Sequence, residues 1–297
     1  MHATADSTPM AFKTIIYATD FSASAENAGR LASLLARKFD AELLMAHSFV
    51  LSQAAMEVEM ETGPSGKSAQ RRDLEAALAK AAQRFGGGVK QVTPVLVEGD
   101  PRERIPALAK QHAPSMLVMG TSGRGRLERG VVGSVAERIL RATDQPALTV
   151  GPHVPAFDPN TSTFHRVLYA TDLPPVAAQA ATYAAGIADA FQAEIDVLHV
   201  IHPEDQRQPD RLNKIQAEFN TILEGMAAQH DTEIRRPKGF VEAGVAHEQI
   251  LQHIRDFPVD LLVLAIRQST HLWLQARLSG AFQMIAEANC PVLTITG

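Results

Sequence analysis

Gly120, Gly123, Gly133 and Ser134 are the residues whose types and spacing point most directly to chemistry. They span a glycine-rich stretch between the apolar run Met116-Leu117-Val118-Met119, which reads as a buried strand, and Val135 to Ala142, which reads as a helix. Glycine has no Cβ, so backbone N–H groups can come close to an anion, and a helix start adds positive partial charge. A glycine loop between a strand and a helix is therefore a cradle for phosphate. The chemistry to expect is nucleotide binding in the first half of the chain.

Other chemistries fit less well. Gly123-Arg124-Gly125 is followed by Glu128 where a dinucleotide fingerprint needs a third glycine, and the loop follows a fourth strand rather than a first. No Gly-Lys-Ser/Thr closes this segment, so it is not a Walker loop. No Ser-His-Asp or paired-carboxylate arrangement can be read, and Ser134 has no identifiable general base, so no catalytic residue is assigned. The second half carries His199, His202, His230, His247, His253 and His271, but without the compact spacing of a metal site. These read as dispersed surface or core histidines, and no metal ligands are assigned. His47 and His199 occupy equivalent places on strands and read as packing residues rather than bases.

The elements that must position the loop come twice. Tyr17-Ala18-Thr19-Asp20 returns as Tyr169-Ala170-Thr171-Asp172, and Ala41 to His47 returns as Ala193 to His199. Leu96-Val97-Glu98 returns as Phe240-Val241-Glu242, and Met116–Met119 as Leu261–Leu264. Gln145-Pro146-Ala147-Leu148-Thr149-Val150 returns as Cys290-Pro291-Val292-Leu293-Thr294-Ile295. The period is domain-sized, so the chain is a duplication rather than a solenoid. Two domains are expected, 1–152 and 163–297, joined by a stretch containing Pro152, Pro155 and Pro159 that reads as a linker.

Within the first half, strands are expected near 13–19, 42–48, 91–97, 115–120 and 146–150, and helices near 23–38, 68–85, 102–112 and 133–142. The first helix carries Ala28, Leu31, Leu34, Leu35 and Phe39 on one stripe, with Asp20 and Ser22 as cap candidates. Strands apolar on both faces, alternating with helices, imply a doubly wound parallel sheet. Ligands of such sheets bind beyond the carboxyl ends of the strands, where Asp20, Ser48, Gly99 and Gly120 lie. The segment 52–68, with Met56 and Met60, reads as a surface loop or frayed helix start.

Composition narrows the partners. The net charge of −5 and pI near 6.1 disfavour a nucleic-acid binder, and no apolar run reaches the ~20 residues of a membrane span. Met1 to Asp6 lacks the pattern of a secretory leader, and the lone Cys290 allows no internal disulfide, so a cytoplasmic location is the default. Cys290 reads as a small buried thiol.

The array Gly120-x2-Gly123-x9-Gly133-Ser134, with Tyr17 to Ser22, His47, Val97-Glu98-Gly99-Asp100-Pro101 and Gln145-Pro146, resembles the universal stress protein family, tandem two-domain type. The resemblance covers both halves. It implies an adenine nucleotide alpha hydrolase-like fold of order 3-2-1-4-5, twice. It also implies that Ala18, Thr19 and Asp20 meet the adenosine part, that Ser48 lines the adenine pocket, and that Met119 and Gly120 lie near the ribose. Gly123, Arg124, Gly133, Ser134 and Val135 would surround the phosphates. A carboxylate such as Asp20 can accept from ribose hydroxyls or an adenine amine, and Arg124 and Arg126 can neutralise phosphate. The implied ligand is ATP with Mg2+ on its phosphates.

The implied role is a cytoplasmic stress-response protein, a nucleotide-dependent regulator or chaperone-like factor. The alternatives are a weak ATPase with slow hydrolysis, or a nucleotide-free scaffold holding another small ligand in its second domain. In this family the fifth strands of two domains pair, so Val150 and Ile295 imply an intramolecular pseudo-dimer; a homodimer of whole chains is a further expectation. The second half departs from the pattern. Ala265 stands opposite Gly120 and Gln268 opposite Gly123, Trp273 and Leu274 bring apolar bulk, and Pro174-Pro175 follow Asp172. It is expected not to bind ATP in the family manner.

Overall fold

The computed structural model describes residues 12–63, 67–121, 132–158, 160–173, 176–228, 236–266 and 272–296, with the helical backbone alone at 176–177 and 272–279. The first half runs β1 (Thr14–Ala18), α1 (Ala23–Lys38), β2 (Glu42–Phe49), α2 (Gln53–Thr62), α3 (Ala69–Phe85), β3 (Val92–Glu98), α4 (Pro101–Gln111), β4 (Ser115–Gly120), α5 (Ser134–Ala142) and β5 (Ala147–Val150). The second runs β6 (Arg166–Thr171), α6 (Val176–Phe191), β7 (Glu194–Ile201), α7 (Pro209–Ala227), β8 (Lys238–Ala243), α8 (Ala246–Asp256), β9 (Leu261–Ile266), α9 (Leu272–Glu287) and β10 (Val292–Thr296), with a short 3-10 turn at Asp205–Arg207.

Each half is a parallel five-stranded sheet of order 3-2-1-4-5, as expected. Alternation along a strand sends successive side chains to opposite faces. Ile15 and Tyr17 of β1 join the core under α1 and α3, while Ile16 joins the core under α4 and α5. Burial on both faces is why the strands read as unbroken apolar runs.

The two sheets are one. β5 and β10 pair antiparallel, giving a ten-stranded sheet with the order β3-β2-β1-β4-β5-β10-β9-β6-β7-β8. Two equivalent threonines cross this seam reciprocally: Thr149 Oγ1 donates to Val292 O at 3.1 Å and Thr294 Oγ1 to Ala147 O at 3.0 Å. Both are buried, so each hydroxyl has to find such a partner. Above the seam Phe12 stacks on Tyr183 at 5.7 Å and Phe164 lies 4.6 Å from Phe191. The proline-rich connection is tied down by Asn27, which donates to Pro155 O at 3.0 Å and accepts from Phe157 N at 2.8 Å.

One local expectation is corrected. Gln53–Thr62 is a helix rather than a loop or a frayed start. Ser52 caps it by accepting from Ala55 N, and Ala55 packs with Phe49 and Leu51. Its far end is held by Glu59, which accepts from Ser68 Oγ at 2.7 Å and from Arg71 at 2.9–3.2 Å. Among the described residues, no helix is long and apolar enough to cross a membrane.

Candidate functional site

The parallel register brings the ends of β1, β2 and β4 to one edge. Ala18 pairs with Ala46 on one side and Met119 on the other. Immediately beyond, Thr19 is buried and braces the turn into α1. Its N–H donates to Ala46 O at 2.9 Å, its Oγ1 accepts from Phe21 N at 3.0 Å, and the Tyr17 hydroxyl lies 3.1 Å away. These bonds hold Phe21 at φ +60, a conformation that costs a bulky L-residue about 1–2 kcal/mol. The turn leaves Asp20 half-buried at the edge, where its Oδ1 accepts from Ser22 N at 2.9 Å. Ser22 in turn caps α1. Burial pushes the Tyr17 hydroxyl up to about 12, so it remains a neutral donor, 2.6 Å from Ala25 O.

His47 and Ser48 brace this edge from β2. His47 Nδ1 lies 2.7 Å from Thr19 O; a carbonyl only accepts, so Nδ1 carries the hydrogen. Its ring packs 4.6 Å from that of Phe21. Ser48 Oγ donates to Gly99 O at 2.7 Å and ties β2 to the end of β3. Gly99 has φ +129, and its N–H donates to Phe49 O at 2.8 Å. Asp100 then caps α4, and its hydrogen bonds with Arg102 hold its carboxyl down at about 2.

Met119 is buried at the end of β4, and Gly120 follows. A Cβ on Gly120 would stand 3.0 Å from Ala25 N and from Ser24 C, so the missing side chain is what lets the first turn of α1 close on β4. Thr121 carries the chain onward, donating to Val150 O at 3.1 Å. Gly133 N donates to Thr121 O at 2.8 Å and closes the base of the glycine loop.

This bond changes one detail of the expected cradle. The Gly133 N–H is spent on the loop base, so the amides available to an anion at this helix start begin with Ser134 and Val135. Gly133 is the cap of α5 and offers no side-chain oxygen, and a helix leaves its first amides without internal partners. Ser134 and Val135 are exposed. Gly123, Arg124 and Arg126 lie outside the described residues, as do Pro174, Pro175, Gln268, His271 and the side chains of Trp273 and Leu274.

The structure therefore gathers Ala18, Thr19, Asp20, Ser48, Met119 and Gly120 on one edge, with Ser134 and Val135 joined to it through the Gly133–Thr121 bond. Sequence reasoning missed the clasp beside this edge. Arg71 bridges Glu59 and Glu98 and lies 5.1 Å from the Phe49 ring centre. Its hydrogen bonds, with those of Ser68, hold Glu59 down at about 2. No periodicity marks such a contact, because its partners come from separate elements.

Two doubly wound domains, fused through their fifth strands, with the start of α5 at the carboxyl edge of the first sheet, define a tandem α/β protein. The model of the universal stress protein family matches residues 11–151 and again 163–296, and the chain belongs to that family. A universal stress protein of Methanocaldococcus jannaschii is 32% identical over 142 residues, 47% of this chain and 82% of its own. One from Thermus aquaticus is 30% identical over 140 residues, 47% of this chain and 98% of its own. A solved universal stress protein of Archaeoglobus fulgidus superposes on 96% of this chain and 98% of its own, with a TM-score of 0.72 at 17% identity, which is a likeness of fold.

Proposed function

We propose that the first half binds an adenine nucleotide, ATP with Mg2+ on its phosphates, and that occupancy biases partner recognition in a cytoplasmic stress-response protein. The observation that carries this reading is the junction of β4 and α5. The Gly-x2-Gly-x9-Gly-Ser loop starts and ends at a hydrogen-bonded base, Gly133 N to Thr121 O, beside the edge that presents Asp20. The amides of Ser134 and Val135 and the Ser134 hydroxyl suit phosphate oxygens, and Arg124 supplies the countercharge. Each charged hydrogen bond contributes about 1.5–3 kcal/mol. Asp20, next to Ala18 and Thr19, accepts from ribose hydroxyls or the adenine amine, with Ser48, Met119 and Gly120 around the base and sugar. Among the described residues no three His, Cys, Asp or Glu side chains converge on one point, so Mg2+ would arrive mainly on phosphate oxygens and keep its waters.

Titration calorimetry with AMP, ADP and ATP tests the reading. ATP binding to the first half is expected, and Gly123→Val should weaken it at least about tenfold by placing a side chain in phosphate space. Unchanged ATP affinity in a folded Gly123→Val protein would remove the site assignment.

A further inference from the structure

Helix α2 belongs to the first half alone. The second half passes from β7 to α7 with the short 3-10 turn between them. α2 gives little to the core: Ala55 is its one buried side chain. It is nonetheless fastened at both ends, by the Ser52 cap and by the Glu59–Arg71 clasp. A helix this short is marginal without such fastenings, and what they secure is its outer face.

That face is apolar. Among the described residues six large apolar side chains are exposed, and four of them, Val50, Met56, Val58 and Met60, lie on α2 or just before it. Met60 is 83% exposed. Met56 and Met60 are four residues apart and share one stripe; the exposed Glu57 and Glu61 form the next. Single exposed apolar groups are ordinary, but a gathered set marks an interaction surface, and methionine adapts its shape to a partner.

The charge of the face has one sign. α2 contains no lysine or arginine, and its last turn has no cation. A helix C-terminus carries negative partial charge, and like charges four residues apart oppose each other, so Glu57 and Glu61 both weaken the helix. Gln53 donates to Glu57 at 3.2 Å and leaves its charge in place. The neighbouring cations are committed: Lys67 to Glu75, Arg71 to Glu59 and Glu98, and Arg72 to the Lys67 carbonyl. A partner bringing positive charge relieves both penalties. A second copy does not, because α2 against α2 sets glutamate against glutamate. Residues 1–11 contain no lysine or arginine, and an anionic lipid surface is repelled.

We propose that the outer face of α2 docks a cationic amphipathic helix of another protein. The partner's apolar side chains lie on Met56 and Met60, and its lysines or arginines on Glu57 and Glu61. The docking surface does not rest on nucleotide binding.

The test is fluorescence anisotropy of a labelled synthetic leucine–lysine amphipathic helix titrated with the full chain, without nucleotide, beside a leucine–glutamate twin. The wild type should bind the lysine peptide and not the glutamate one. Met56→Ser with Met60→Ser, and Glu57→Lys with Glu61→Lys, should each weaken that binding at least about tenfold. The charge-reversed protein should gain binding of the glutamate peptide. Glu224→Lys with Glu287→Lys makes the same charge change at helix ends of the second half and should move the affinity less than about twofold. All these side chains are exposed, so the variants should fold, which circular dichroism checks. No binding of the lysine peptide, equal binding of both peptides by the wild type, or an equal loss in the Glu224/Glu287 variant would overturn the proposal. Tighter association with phosphatidylserine vesicles, or a dimer in sedimentation that Met60→Ser dissolves, would do the same.

Discussion

Asp196 is fully buried in β7, where the first half has Leu44. Its Oδ2 accepts from Arg166 Nη1 at 2.8 Å and lies 3.3 Å from His253 Nε2; Oδ1 finds no partner among the described residues. His253 replaces Leu108, and Arg166 replaces Thr14. Asp196→Leu alone strands Arg166 and His253, and breaking a buried pair in this way costs about 3–5 kcal/mol. Arg166 keeps Glu194 at 2.6 Å and is 18% exposed, so the low end, about 3 kcal/mol, is expected. Replacing the whole cluster with the first half's residues, Asp196→Leu with His253→Leu and Arg166→Thr, should be neutral or stabilising by about 1–4 kcal/mol. Urea unfolding at pH 7 measures both.

The same cluster predicts a pH dependence. Burial alone would raise the Asp196 pKa, but hydrogen bonds from His253 and Arg166 and the nearby positive charge outweigh it and leave the carboxyl below its ordinary value. A depressed folded pKa stabilises above the unfolded value of about 3.9, and that stability is lost as pH falls through the lower folded value. The wild type should therefore lose stability relative to the triple variant only below about pH 4. A single variant as stable as wild type at pH 7, or a triple variant as damaged as the single, would refute the account.

The seam between the halves predicts that Thr149→Val and Thr294→Val each lower stability by about 1–2 kcal/mol, read by thermal melting, because each leaves a buried carbonyl short of a donor. Burial pushes the Cys290 thiol up to about 12, so a disulfide reagent should label it at the rate of unfolding and far more slowly than a free thiol. Glu59→Ala removes the acceptor shared by Ser68 and Arg71, so limited proteolysis should cut near 50–68 faster than in wild type; an unchanged cleavage rate would show that α2 is held by other contacts. With Glu59 held down at about 2, this clasp should survive mild acid, and cleavage at pH 4 should match that at pH 7.

Much of the architecture was legible because its signals are local or periodic. The stripe on α1 and the apolar runs of the parallel strands follow from side-chain alternation and backbone propensity. Repetition of Tyr-Ala-Thr-Asp announced two units, and strand–helix alternation announced the winding of the sheets. Helix α2 escaped notice because its apolar pattern is weak and its hold comes from Ser52 and the Glu59–Arg71 clasp. Phe21 in a left-handed turn was equally hidden, since its support comes from Thr19 and His47.

The amino-acid order alone determined the duplication, the strand sequence of each half and the loss of the glycine array from the second. Only the folded chain decided which polar groups are already committed. Ser48 is spent on Gly99, the Gly133 amide on Thr121, Thr149 and Thr294 on one another's strands, and Asp196 on Arg166 and His253. A hydrogen bond needs its partners about 3 Å apart, and residues far apart in sequence reach that distance only when the sheet has set its register.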